Sequence, residues 1–254
     1  MPLTVDGRRL EHLDIPGESP ALVLLHEGLG SARLWRGFPT ALAEATGRRV
    51  LAFSRFGHGD SDLPPRPRTP SFMHEEARDV LPAVLDHLGI ERPVLVGHSD
   101  GASIALIHAA EHSTDRVVAM APHVFVEPVC LAEIRAVRDQ YAGGLRDRMA
   151  RHHRDPDAAF HGWNDVWLHP DFPRWSIEDL LGLIAVPVLL VQGEHDQYGT
   201  MAQLDRIEAA VSGPVERVHL DARHAPHLEA PEAVLEAVAR FVLRPAGAPP
   251  SRAA

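Results

Sequence analysis

Three residues have the types and the placing to carry covalent chemistry: Ser99, Asp196 and His224. Ser99 stands in VLVGHSDGAS (94–103), where an apolar run gives way to a stretch of helical spacing. A serine between two near glycines at such a junction sits on a forced turn that exposes its hydroxyl. That hydroxyl is a poor nucleophile alone and needs a base within hydrogen-bond reach, with a third group to orient the base. Asp196 lies in GEHDQYG, after the run 186–192, and His224 lies in DARHAPHLEAPE, after the run 215–220. Serine, acid and histidine thus follow one another along the chain, each behind its own strand, in the order of a strand-turn-helix nucleophile with an acid and a base on neighbouring loops. Glu194 is the competing acid, but Asp196 stands further into its loop. His227 is the competing base, but it leads into Pro231, a helix start, and is expected to pack there. A tetrahedral intermediate needs two backbone N–H donors. The residue after the nucleophile, Asp100, supplies one, and Gly28 in HEGLGS is expected to supply the other.

The elements that must position these groups alternate. Runs at 21–26, 48–54, 93–98, 116–121, 186–192 and 215–220 read as strands, with helical patterns at 33–46, 71–89, 100–112, 200–212 and 231–244. This alternation predicts a mostly parallel sheet with helices on both faces. Residues 3–15 predict an antiparallel hairpin turning at Asp6-Gly7. The interval between Ala121 and Val186 breaks the rhythm with helical pieces only, and it carries Trp163, Trp167 and Trp175. It is too long for a plain connection. The expected organisation is therefore a core of 1–122 and 184–244, a helical cap over 123–183 and a disordered tail over 245–254.

Composition removes several classes of function. The 254 residues, 45% hydrophobic, suit one large domain with an ordinary core. A net charge of −10 without a basic stripe argues against a nucleic-acid partner. The single cysteine, Cys130, precludes an internal disulfide. Seventeen histidines invite a metal reading, but HEGLG lacks the second histidine of a zinc-protease helix. His152-His153 stand in a polar stretch expected to be exposed, and His224 and His227 lack a third ligand nearby. No metal and no cofactor is expected, and no dinucleotide fingerprint is present. The polar N-terminus MPLTVDGRRL has no apolar run of signal-peptide or membrane length, so a cytoplasmic protein acting on a small molecule, away from membranes, is expected. Nothing in the sequence sets an oligomeric state.

His26-Glu27-Gly28, RFGHGDS (55–61), GHSDG (97–101), GEHD (193–196) and HAPHLEAP (224–231) together resemble the α/β-hydrolase superfamily over essentially the whole chain. The resemblance implies an eight-stranded, mostly parallel sheet with a helical cap after the sixth strand. It makes Ser99 the nucleophile, Asp196 the acid, His224 the base, and Gly28 with Asp100 the oxyanion hole. Serine at the nucleophile position speaks against the epoxide-hydrolase and haloalkane-dehalogenase branches. Three positions depart from the family pattern: Glu27 replaces a glycine, Phe56 an arginine or proline, and Arg223 the glycine before the base. Ester hydrolysis through an acyl-enzyme is the leading reading. Cleavage of carbon–carbon or thioester bonds stays open, as in meta-cleavage-product hydrolases or the menaquinone-pathway synthase, and so does a non-enzymatic binder on the same fold. Trp163 and Trp167, four apart, are expected to share a helix face and to line a substrate pocket. Two carboxylates, Glu27 and Asp100, flank the expected oxyanion donors. Asp100 can be a helix-end anion and Glu27 can be tied to an arginine; alternatively, one of them holds a substrate cation. The SDG of 99–101 is similar to valacyclovirase-like amino-acid ester hydrolases, which implies the latter.

Overall fold

The computed structural model describes residues 2–245, so the expected disordered tail lies outside the described residues from 246 on. Seven strands form the main sheet: β3 (His12–Ile15), β4 (Glu18–Leu25), β5 (Arg48–Phe53), β6 (Val94–His98), β7 (Arg116–Met120), β8 (Val188–Gly193) and β9 (Val215–Leu220). Their spatial order is β3-β5-β4-β6-β7-β8-β9, with β3 antiparallel to β5 and every other pairing parallel. Eight strands were expected in this sheet. The extra strand, β1 (Leu3–Val5), instead pairs only with β2 (Arg8–Leu10) as a separate ribbon. Its turn falls at Asp6-Gly7, both at positive φ (50° and 74°), as a tight hairpin requires. The ribbon separates from β3 at Glu11. There the backbone N–H groups of Arg9 and Glu11 bond to the Asp62 and Ser61 side chains rather than to a further strand.

The central strands are buried on both faces, which explains why they read as continuous apolar runs. Leu22, Leu24, Val50, Val94, Val96, Val118, Leu189 and Val191 point to one face, under the helices Phe38–Thr46 and Pro231–Leu243. Val23, Leu25, Leu51, Leu95, Val117, Ala119 and Leu190 point to the other, whose apolar cluster runs on into residues 124–184. The expected helix over 33–46 is broken: a 3-10 turn, Ala32–Trp35, ends at Arg36 with φ 52°, and a new helix starts at Phe38. Between β7 and β8 lie the helices Pro128–Gln140, Arg146–Met149, Pro156–Trp167 and Glu178–Leu181. Asp155 caps the third of these by accepting the Ala158 N–H at 2.8 Å.

The strand order reverses between β4 and β6. From β4 the chain proceeds to β5 on one side, and from β6 to β7 and β8 on the other. Parallel sheets leave a crevice at such a switch point, outside the carboxyl ends of the strands. The loop after β4 is His26-Glu27-Gly28, and the residue after β6 is Ser99.

Candidate active site

Ser99 joins β6 to the helix Asp100–Glu111 with φ 53° and ψ −120°, a conformation an L-residue holds only when its surroundings force it. Those surroundings admit nothing larger than glycine on either side. A Cβ on Gly97 would lie 2.3 Å from Gly101 O, and one on Gly101 would lie 1.9 Å from Leu25 O. The strained turn presents Ser99 Oγ to His224 Nε2 at 2.9 Å. His224 Nδ1 in turn lies 2.9 and 2.8 Å from the two Asp196 oxygens. Asp196 also accepts the Tyr198 N–H at 2.8 Å and the Gln192 side-chain N–H at 2.7 Å. Burial alone would raise its pKa, but the hydrogen bond and charge of His224 and the Tyr198 N–H outweigh it and leave the carboxyl below its ordinary value. The structure thus brings together the three residues the sequence singled out. Glu194 is exposed, while His227 packs on Trp35 and Phe38, with ring centroids 4.7 and 5.8 Å apart.

The His224 loop is held at its backbone. Glu229 accepts the N–H groups of Arg223 (2.8 Å) and Ala225 (3.1 Å), and His98 Nε2 donates to His224 O at 2.6 Å. Across the crevice, every carbonyl from residue 26 to residue 29 has a side-chain donor. The buried Arg55 guanidinium bonds His26 O through Nη1 and Glu27 O through Nη2 at 2.9 Å. His26 Nδ1 also donates to Glu27 O (2.7 Å), His58 Nε2 to Gly28 O (2.9 Å) and His153 Nε2 to Leu29 O (2.9 Å). His153 is the opposite of the exposed residue expected: it is 3% exposed and also accepts the Gly59 N–H at 3.0 Å. Burial among polar backbone groups inverted that reading. Among the described residues, the N–H groups of Gly28 and Asp100 have no protein acceptor.

A cavity of about 530 Å³ opens onto Ser99, walled by Gly28, His123, Cys130, Ile134, Trp163, Trp167 and Tyr198 among others. Both tryptophans of the expected pair are on its wall. Gly28 leaves room for Trp163, since a Cβ there would sit 2.1 Å from Trp163 Nε1. Glu27 and Asp100 line the same cavity. Asp100 is 1% exposed; its Oδ1 accepts the Trp167 Nε1–H at 3.2 Å, and its Oδ2 is enclosed with no protein partner. Glu27 Oε2 is likewise enclosed and unpartnered. Arg55 bonds the backbone of Glu27 and leaves its carboxylate free, so the expected tie to an arginine is made by charge alone. Burial pushes the Glu27 carboxyl up to about 7, against the pull of Arg55 and the Leu29 N–H, with Asp100 adding to the rise. Burial raises Asp100 as well, opposed by Arg55, Arg68 and the Trp167 bond. Together with Glu76, which faces Arg68 at 3.5 Å, these groups form one buried set of two guanidiniums against three carboxylates. Fully ionised, the set lacks one positive charge. Among the described residues, no group of three or more His, Cys, Asp or Glu is arranged to hold a metal ion, and no helix is long and apolar enough to cross a membrane.

The sequence profile of the alpha/beta hydrolase family matches residues 22–237. The chain belongs to this family. It is 29% identical over 249 residues to a carboxylesterase of Bacillus subtilis, covering 89% of this chain and 81% of that protein. It is 36% identical over 99 residues to an sn-1-specific diacylglycerol lipase of Mus musculus and 30% identical over 100 residues to a proline iminopeptidase of Lactobacillus helveticus. Those stretches span 31% and 34% of the two relatives' lengths. Among solved structures, an enol-lactonase of Burkholderia xenovorans superposes with a TM-score of 0.74 at 24% identity, covering 94% of this chain and 98% of that one. A 2-hydroxy-6-oxo-6-phenylhexa-2,4-dienoate hydrolase of Rhodococcus does so with 0.79 at 20%, covering 96% and 97%. These two likenesses establish the fold, and the three sequence relatives named are hydrolases.

Arg55, His58, His153 and Glu229 were not picked out from sequence as functional. Arg55 and His58 lay inside the quoted RFGHGDS, but their partners are backbone carbonyls, which leave no mark in a sequence.

Proposed function

We propose that the protein hydrolyses small carboxylic esters through an acyl-enzyme, with Ser99 as nucleophile, His224 as base and Asp196 as its orienting acid. The observation that carries the reading is the continuous pair of contacts, Ser99 Oγ to His224 Nε2 at 2.9 Å and His224 Nδ1 to Asp196 at 2.8 Å. In this reading His224 takes the Ser99 proton as Oγ adds to the ester carbonyl, and the Gly28 and Asp100 N–H groups bind the resulting oxyanion. The tetrahedral species collapses, the C–O bond to the alcohol breaks, and His224 gives the proton to the departing oxygen. Water, deprotonated by His224, then releases the acid and restores Ser99. Similarity to a carboxylesterase over most of both chains favours an ester over a carbon–carbon or thioester bond. Residues 123–183 act in this reading as a cap whose Trp163 and Trp167 roof the acyl or alcohol group, and the enzyme works in the cytoplasm.

A finer reading of the substrate has its own support. Asp100 Oδ2 and Glu27 Oε2 are enclosed, unpartnered and on the cavity wall, and with all its carboxyls ionised their buried charge set lacks one positive charge. A substrate ammonium would supply that charge. The preferred substrate is then an ester with a cationic group close to its carbonyl. The test is a panel of p-nitrophenyl, α-amino, thioester and lactone substrates offered to wild type and Ser99→Ala. Turnover of esters by wild type alone supports the proposal. Turnover of thioesters in preference to every ester, lactones included, or equal turnover by the variant, refutes it. Single-turnover acylation without release would indicate a binder.

A further inference from the structure

We infer that Arg55 is a positioning residue for the oxyanion hole: by gripping two successive carbonyls after β4, its guanidinium turns the Gly28 N–H toward Ser99. The inference rests on the reading of Gly28 as an oxyanion donor. A trans peptide unit is planar, with its C=O and N–H on opposite edges. The N–H of Gly28 shares its plane with Glu27 O, so whatever holds that oxygen also fixes the direction of the N–H. Two side-chain donors hold it, Arg55 Nη2 at 2.9 Å and His26 Nδ1 at 2.7 Å, beside the Gly30 N–H of the same turn at 3.1 Å. Arg55 Nη1 takes the preceding carbonyl, His26 O, and the Arg55 backbone N–H donates to His26 Nε2 at 3.0 Å. The two residues thereby lock each other and the Glu27–Gly28 peptide. The sheet makes this possible. Leu25, the last residue of β4, is paired with Phe53, the last of β5, so Glu27 and Arg55 each stand two residues past a paired strand end.

Arginine suits this place for its shape. A planar fork spans two neighbouring carbonyl oxygens at once, whereas an ammonium is a single point donor. Arg55 is also 1% exposed and belongs to the charge set beneath the cavity, so deleting it outright would confound aim with charge. Arg55→Lys keeps the charge and removes the fork. On a neutral p-nitrophenyl ester we expect kcat to fall roughly tenfold to hundredfold with KM within about twofold, the signature of a misplaced transition-state donor. A boronic acid, which becomes a tetrahedral anion on Ser99, should lose affinity by the same factor, while the product acid, a ground-state ligand, should bind unchanged. Active sites are counted by the final stoichiometry of fluorophosphonate labelling, so that loss of folded protein is not mistaken for lost aim. If Arg55→Lys does not fold, His26→Phe removes the other side-chain donor to Glu27 O and is read by the same three measurements. A folded variant with wild-type kcat and boronate affinity, or one whose KM alone rises, overturns the inference. Failure of the proposed function would show differently, as wild type that is not labelled on Ser99.

Discussion

Replacing Asp100 by Asn changes one charge and little else. The backbone N–H of residue 100 stays, and the Asn oxygen can still accept the Trp167 Nε1–H that Asp100 Oδ1 accepts at 3.2 Å. What is lost is the negative charge at Oδ2, which is enclosed and without a protein partner. A cation at about 4 Å in an effective dielectric of about 20 would gain about 4 kcal/mol from that charge before its own desolvation is counted. Desolvation of the cation takes back part of that gain; a net of about 1.5–3 kcal/mol would cost the variant about 10- to 150-fold in kcat/KM on a cationic ester. Neutral esters gain nothing from the charge and should change by less than about threefold. The assay compares a neutral ester with a matched ester bearing a trimethylammonium group, whose charge does not titrate, at about pH 8, where Glu27 is ionised. A cationic-to-neutral ratio that is the same in wild type and Asp100→Asn refutes the cation subsite.

Glu27 supplies a pH test. Its folded-state pKa, about 7, lies above the ordinary 4.5, so folding favours its protonated form. That contribution is complete below about pH 4.5 and is lost as pH rises through about 7. Glu27→Gln should therefore be more stable than wild type at about pH 8, by up to about 3 kcal/mol, with little difference at about pH 4.5; parallel melting curves at both pH values contradict this. Gly101→Ala places a Cβ 1.9 Å from Leu25 O and 2.7 Å from His26 O, both backbone. The overpacking should cost about 1–3 kcal/mol or more and abolish activity, and a melting temperature within about 2 °C of wild type would refute the fit. Trp163→Ala and Trp167→Ala should each enlarge the cavity and shift ester preference toward longer chains. Unchanged preference in both variants would reduce the tryptophans to anchors.

The sequence made the catalytic candidates legible because their placing depends on strand ends. Apolar runs buried on both faces, such as VLVGH and VPVLLVQ, announce parallel strands, and the loops behind them hold Ser99 and Asp196. The choices of Asp196 over Glu194 and of His224 over His227 rest on loop depth and on a proline; the structure sets His224 Nδ1 2.8 Å from Asp196 and packs His227 on Trp35. The interior of the polar network was not legible. His153 looked like a surface residue in HHRD because burial there is set by the Gly59 and Leu29 backbones, far off in sequence. The missing eighth strand in the sheet has a similar origin. Ser61 and Asp62 take the N–H groups of Glu11 and Arg9, a competition that periodicity does not register.

The central claim is that Ser99, activated by His224 and Asp196, forms the covalent intermediate. The most direct measurement is mass spectrometry of the protein after a fluorophosphonate probe, run beside ester hydrolysis for wild type, Ser99→Ala and His224→Ala. One adduct on the Ser99 peptide of wild type is expected, none on Ser99→Ala, and a loss of about three or more orders of magnitude in turnover for each variant with folding intact. An adduct on another residue, or robust hydrolysis by Ser99→Ala, would contradict it.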